Sequence, residues 1–217
     1  MCFSSEMSFG ASAVLSVIGI ATIRKVQSSS QLIFAGIPFL FAIQQFSEGF
    51  LWLALSNPSY SHLEKVSTCT FIFLAQVVWP FWVPLGVMLL EKKENRTLFQ
   101  KILAGLGLLL SIILAYCLNK FNVHAEIQEH HIRYIQEYPA SIRPYGVALY
   151  IVSTIVSLFI SKIKGVWILG ITVLLSYIAA FIFFTNYRLS IWCFFASIIS
   201  LSIFKIIMDM KRDNKYT

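Results

Sequence analysis

Charge is what this sequence has least of. Only 12% of its 217 residues are Asp, Glu, Lys or Arg, where a soluble domain carries about 25%. With 58% hydrophobic residues and a mean hydropathy of +0.75, the chain has more apolar surface than one water-soluble core can bury. That excludes an ordinary soluble domain and makes the lipid bilayer its solvent. The net charge of +7 does not call for nucleic acid, because the basic residues sit in short clusters between apolar runs, not on one face. Cysteine is sparse too: Cys2, Cys69, Cys117 and Cys193 make neither a zinc spacing nor a CxxC. A basic leader is missing, with Glu6 the one charge before the first apolar run, so the first span reads as retained. No repeat of about 20 to 50 residues and no inverted half is found, which leaves one domain over residues 1–217.

What is present is a series of apolar runs near the roughly 20 residues a bilayer requires. They cover 7–23, 31–55, 67–90, 102–118, 145–160, 166–184 and 189–208. The expected fold is therefore all-α, a polytopic bundle of seven transmembrane helices. Assigning the loops alternately puts 12 of the 17 Lys and Arg residues on one side: Arg24 and Lys25; Lys92, Lys93, Arg96 and Lys101; Lys162 and Lys164; Lys205, Lys211, Arg212 and Lys215. The positive-inside rule places that side and the C-terminus in the cytoplasm and the N-terminus outside. The expected location is the cell membrane, the inner one in a Gram-negative cell.

The long outer connection, 119–144, carries Ile127, His131, Tyr134, Ile135 and Tyr138 at helical spacing, which predicts a short helix lying on the membrane surface. Within it HAEIQEHH offers His124, Glu126, Glu129, His130 and His131, residue types that zinc or copper accepts. Adjacent histidines on a helix diverge by about 100°, so a solvated loop is the simpler reading and no metal is assigned.

Inside the spans a few polar residues share a level. In QQFSEGFLW, Gln44, Gln45, Glu48 and Trp52 fall on one side of a helix, with Glu48 roughly 10 Å and the glutamines roughly 15 Å below the outer end. Gln76, in AQVVWPFWVP of the third span, lies roughly 13 Å down. A carboxylate at that depth faces the bundle interior, paired or protonated, and the expected state of Glu48 is at least partly protonated and bonded to a glutamine amide such as Gln76. Pro80 and Pro84 each remove a backbone bond, freeing the carbonyls of Gln76 and Pro80 on an i→i+4 count. The third span is expected to bend beside the second, with Trp79 and Trp82 walling the space between them. Ser190, Cys193, Ser197 and Ser200 form a stripe on the last span that fits either close packing or a ligand surface. All four cysteines fall toward the outside, so disulfides are possible in an oxidising compartment.

MCFS, QQFSEGFLW, AQVVWPFWVP and IWCFFAS together resemble a bacterial domain-of-unknown-function family of small multi-pass membrane proteins beginning Met-Cys. The resemblance implies a membrane bundle and carries no catalytic residue or cofactor; relatives can have His where Gln44 stands. The leading expectation is binding or sensing of a small amphipathic ligand in an outward-facing pocket of Gln44, Gln45, Glu48, Gln76, Trp79 and Cys193. Two alternatives are a proton-coupled transporter using Glu48 and a metal- or thiol-dependent membrane enzyme using Cys2 and Cys193.

Overall fold

The computed structural model describes residues 4–128, 130–139, 143–183 and 195–213. It is mostly helical. In chain order the helices are α1 (Ser5–Ile23), α2 (Ser29–Ser56), α3 (Pro58–Leu90), α4 (Leu98–Lys120), α5 (Pro144–Ile160), α6 (Val166–Phe183) and α7 (Ala196–Asp213). The first four are long and apolar enough to cross a membrane, and α5 and α6 are shorter apolar helices. Side chains left on the perimeter are apolar, among them Val17, Leu109, Ile112, Leu175 and Ile182, which water penalises and hydrocarbon does not.

Local chemistry sets the ends. The Ser4 hydroxyl accepts from Met7 N–H to start α1, and Thr97 with Gln100 forms a reciprocal capping box at α4. Gly165, at φ +90° before α6, holds a left-handed conformation open to glycine at no steric cost. Glu91, just after α3, is buried. Its Oε1 accepts from Ser161 Oγ at 3.0 Å and from Lys162 N–H at 2.7 Å, tying the end of α3 to the α5–α6 turn.

The connection after α4 is not a surface helix. It forms an antiparallel hairpin, β1 (Val123–Gln128) and β2 (His131–Gln136), pairing Val123 with Gln136 through Gln128 with His131. Val123, Ala125, Ile132, Tyr134 and Gln136 share one face by the two-residue period of a strand. That face packs on the bundle: Ala125 and Ile132 are buried with Leu51 and Trp52 of α2. The other face carries an Arg133–Glu126 pair at 3.4 Å across the strands.

The largest core joins α2, α3, α5, α6 and α7 through Phe34, Ile37, Trp79, Val87, Leu158, Leu169, Ile203 and their neighbours. In lipid such contact is held by close packing more than by expulsion of water. Small residues permit it. At Gly49 of α2 the Phe9 ring of α1 occupies the space a Cβ would take, and the Ser12 hydroxyl donates to Ala42 O at 2.8 Å along the same seam.

Candidate functional site

Two prolines and two widened helical turns build the site. Over Phe73–Val78, α3 opens to an i→i+5 register, the π-bulge common at functional positions. In that register the acceptor that faces the nitrogen of Pro80, which bears no hydrogen, is Ala75, not Gln76 as the i→i+4 count has it. Tyr150 of α5 supplies the missing donor, its hydroxyl donating to Ala75 O at 2.8 Å. The Pro80 carbonyl, which Pro84 leaves unserved, presses against Gly107 of α4 where a side chain has no room. Directly after Tyr150, α5 has a π segment of its own, Val152–Val156. The hydroxyls of Thr154 and Ser153 both donate to the Tyr150 carbonyl, at 2.6 and 3.1 Å, as side chains do where a helix is distorted. Two wide turns therefore meet through one phenol.

Where they meet lies a cavity of about 70 Å³. Its wall is mostly apolar, with Ile37, Phe41, Val83, Leu158, Leu169, Val173, Ile199 and Ile203 from five helices. Gln44, Trp79, Tyr150 and Thr154 interrupt it. The Trp79 Nε1–H donates to Gln44 Oε1 at 3.0 Å, both residues being buried. Trp82 does not join this wall; its indole donates to Ile33 O at 2.8 Å and packs against the core.

About one turn further along α2 a polar layer sits beneath the hairpin. Glu48 is fully buried; its Oε2 accepts from Gln45 Nε2 at 3.0 Å, and its Oε1 lies 3.5 Å from the donating Tyr134 hydroxyl of β2. The Tyr134 ring stacks on Phe71 of α3, centroids 4.5 Å apart and planes within 5°. Gln76 donates to Gln136 Oε1 at 3.0 Å. The glutamine amide that meets Glu48 is thus Gln45 and not Gln76, and both Glu48 and Gln76 bond to β2. The reason is geometric: a strand brings Tyr134 and Gln136 to the same face, two residues apart. Among the described residues, Trp52 Nε1 and Gln76 Oε1 are buried without a hydrogen-bond partner.

Gln44 and Trp79 therefore line the cavity, while Gln45, Glu48 and Gln76 belong to the layer under the hairpin. Cys193, with Cys2 and Ser190, lies outside the described residues. Tyr134, Gln136, Tyr150 and Thr154 are site residues that the sequence reading passed over. For the last two a signal existed, since hydroxyls four apart in an apolar run share a helical face. Near the hairpin, Cys69 and Cys117 are free thiols. Tyr138 packs beside Cys117, and burial, with a smaller contribution from Cys117 and Cys69, pushes its phenol up to about 12. Among the described residues no three His, Cys, Asp or Glu side chains converge as a metal site requires.

The chain belongs to a family of unknown function, DUF6629, whose model matches residues 1–216. No curated protein and no solved structure matches it.

Proposed function

We propose that this is a multi-pass protein of the cytoplasmic membrane, crossing it seven times with its N-terminus outside, that binds a small amphipathic molecule in the cavity among α2, α3, α5, α6 and α7. The bias of Lys and Arg toward one set of loops supports the orientation. The observation that carries the binding reading is the cavity itself. A void of about 70 Å³ in a packed interior forfeits dispersion contacts all round its lining. Here it is built by two helical distortions and walled by a bonded Gln44–Trp79 pair. One end of the ligand occupies this space beside Gln44, Trp79 and Thr154, and Gln45, Glu48 and Gln76 form the polar approach; Cys193 is a further candidate contact.

The test is a mass-spectrometric search for small molecules that copurify in mild detergent with the wild type and with Val173→Phe, which fills the cavity. A molecule near one per chain in the wild type and absent from the variant is expected. No enrichment, or equal enrichment in both, refutes the reading. A Glu48→Gln protein with unchanged affinity and pH dependence for that molecule removes Glu48 from the approach.

The complete burial of Glu48 favours a second reading, proton-coupled transport with Glu48 as carrier. It requires substrate-dependent proton flux in proteoliposomes; its absence across a broad substrate panel, or its persistence in Glu48→Gln, counts against it.

A further inference from the structure

Among the described residues, three of the four polar side chains in the cavity wall have already committed their protons, and the fourth, Gln44, accepts through Oε1 and keeps an amide nitrogen that donates. Trp79 donates to Gln44 Oε1, Tyr150 to Ala75 O, and Thr154 to the Tyr150 carbonyl at 2.6 Å. What Thr154 still offers is lone pairs, since a hydroxyl has one proton and two acceptor positions. The residue is 4% exposed, so bulk water does not reach it. An ether, a carbonyl or an anion arriving there meets oxygen with oxygen unless Thr154 gives up its short bond. A group bearing O–H completes the set instead.

Charge and size narrow the class. Among the described residues no carboxylate lines the cavity, so a cationic donor finds no counter-ion there and desolvation opposes it. An engineered cavity of about 150 Å³ admits benzene. At about 70 Å³ this one takes one end of an amphipathic molecule, not the whole of it.

Resting on the ligand-binding reading above, we infer that the cavity receives the neutral hydroxyl-bearing end of an amphipathic alcohol, which donates to Thr154 Oγ1. Thr154 is thereby the residue that separates donors from pure acceptors.

Two isomers of one formula test this: 3,3,3-trifluoropropan-1-ol, which donates, and 2,2,2-trifluoroethyl methyl ether, which only accepts. Fluorine NMR titrations against the full chain in lipid nanodiscs, with empty nanodiscs subtracting partition into lipid, give both affinities. One neutral hydrogen bond of ordinary strength corresponds to the alcohol binding about five- to tenfold more tightly. Thr154→Val keeps the shape and is expected to reduce the preference to within about twofold, while Thr154→Ser retains it. Val173→Phe abolishes binding of both probes. Equal affinities, a preference for the ether, or a preference that survives Thr154→Val overturns the assignment. If the isomers bind equally and Val173→Phe removes both, the ligand-binding reading stands and the donor assignment falls. If neither binds, or Val173→Phe changes nothing, both fall.

Discussion

Tyr150→Phe keeps the ring and deletes one O–H, which isolates the bond that joins the two widened helices. Ala75 O then loses the donor it holds at 2.8 Å. Ala75 is 5% exposed, so water is a poor substitute, and Pro80 has no hydrogen to give in the i→i+5 register. An acceptor stranded in this way costs about 1–3 kcal/mol in soluble proteins. Interhelical bonds in membrane bundles average about 0.6 and reach about 1.7 kcal/mol. Because no backbone donor takes over, the expected loss lies toward the upper end of the membrane range, about 1.5 kcal/mol. Unfolding with SDS in bicelles, followed by tryptophan fluorescence, measures it. Pro80→Ala provides the internal control, because it returns an N–H to position 80 and lets α3 serve its own carbonyls. In that background Tyr150→Phe is expected to cost less than about 0.5 kcal/mol, a coupling of about 1 kcal/mol in the double-mutant cycle. A Tyr150→Phe protein within about 0.3 kcal/mol of wild type, or one that loses the same amount in both backgrounds, refutes the account of the orphaned Ala75 carbonyl.

Gly107→Ala places a methyl group on the Pro80 carbonyl and is expected to lower stability by about 2 kcal/mol or more. Gly105→Ala, two residues away with nothing within 4 Å of its added carbon, is expected to be neutral or slightly stabilising in the same unfolding assay. The Tyr138 hydroxyl is buried without a partner among the described residues, so Tyr138→Phe is expected to leave stability unchanged or raise it. With its native phenol pushed up from 10 to about 12, folding favours the neutral form. That contribution is complete below the unfolded value of 10 and is lost as pH rises through about 12. An alkaline absorbance titration of phenolate is expected to lose its highest step in Tyr138→Phe; a step missing from near pH 10 instead contradicts the burial argument.

Hydropathy made the helices legible because long apolar runs stand out from the polar connections between them. The runs at 7–23 and 31–55 correspond to Ser5–Ile23 and Ser29–Ser56, and the part of the run at 189–208 that lies among the described residues is helical from Ala196, in a helix that continues to Asp213. The hairpin was misread because Ile127, His131, Tyr134 and Ile135 satisfy a helical period while Val123, Ala125 and Ile127 satisfy a period of two. A short segment supports both. The sequence between the strands, Glu129 and His130, also lacks the Asn-Gly or Asp-Gly signal that would have settled the matter. The level shared by Gln44, Gln45, Glu48 and Gln76 could be counted from rise per residue. Their partners could not, because Tyr134 and Gln136 enter from a different element. Proline chemistry foretold a disturbed backbone near Pro80, but the identity of the freed carbonyl depends on a phase of the helix that side-chain patterning does not encode.

The hairpin's late arrival matters during synthesis. Gln76 waits 60 residues for Gln136, and Glu48 waits 86 for Tyr134. At about 5–20 residues per second that is roughly 4–17 s for the carboxyl. Throughout that interval the nascent second helix carries an acid not yet roofed by Tyr134. Gln45, three positions earlier on the same helix, travels with it as an escort, so the pair at 45 and 48 shields newborn chains before the hairpin strands exist.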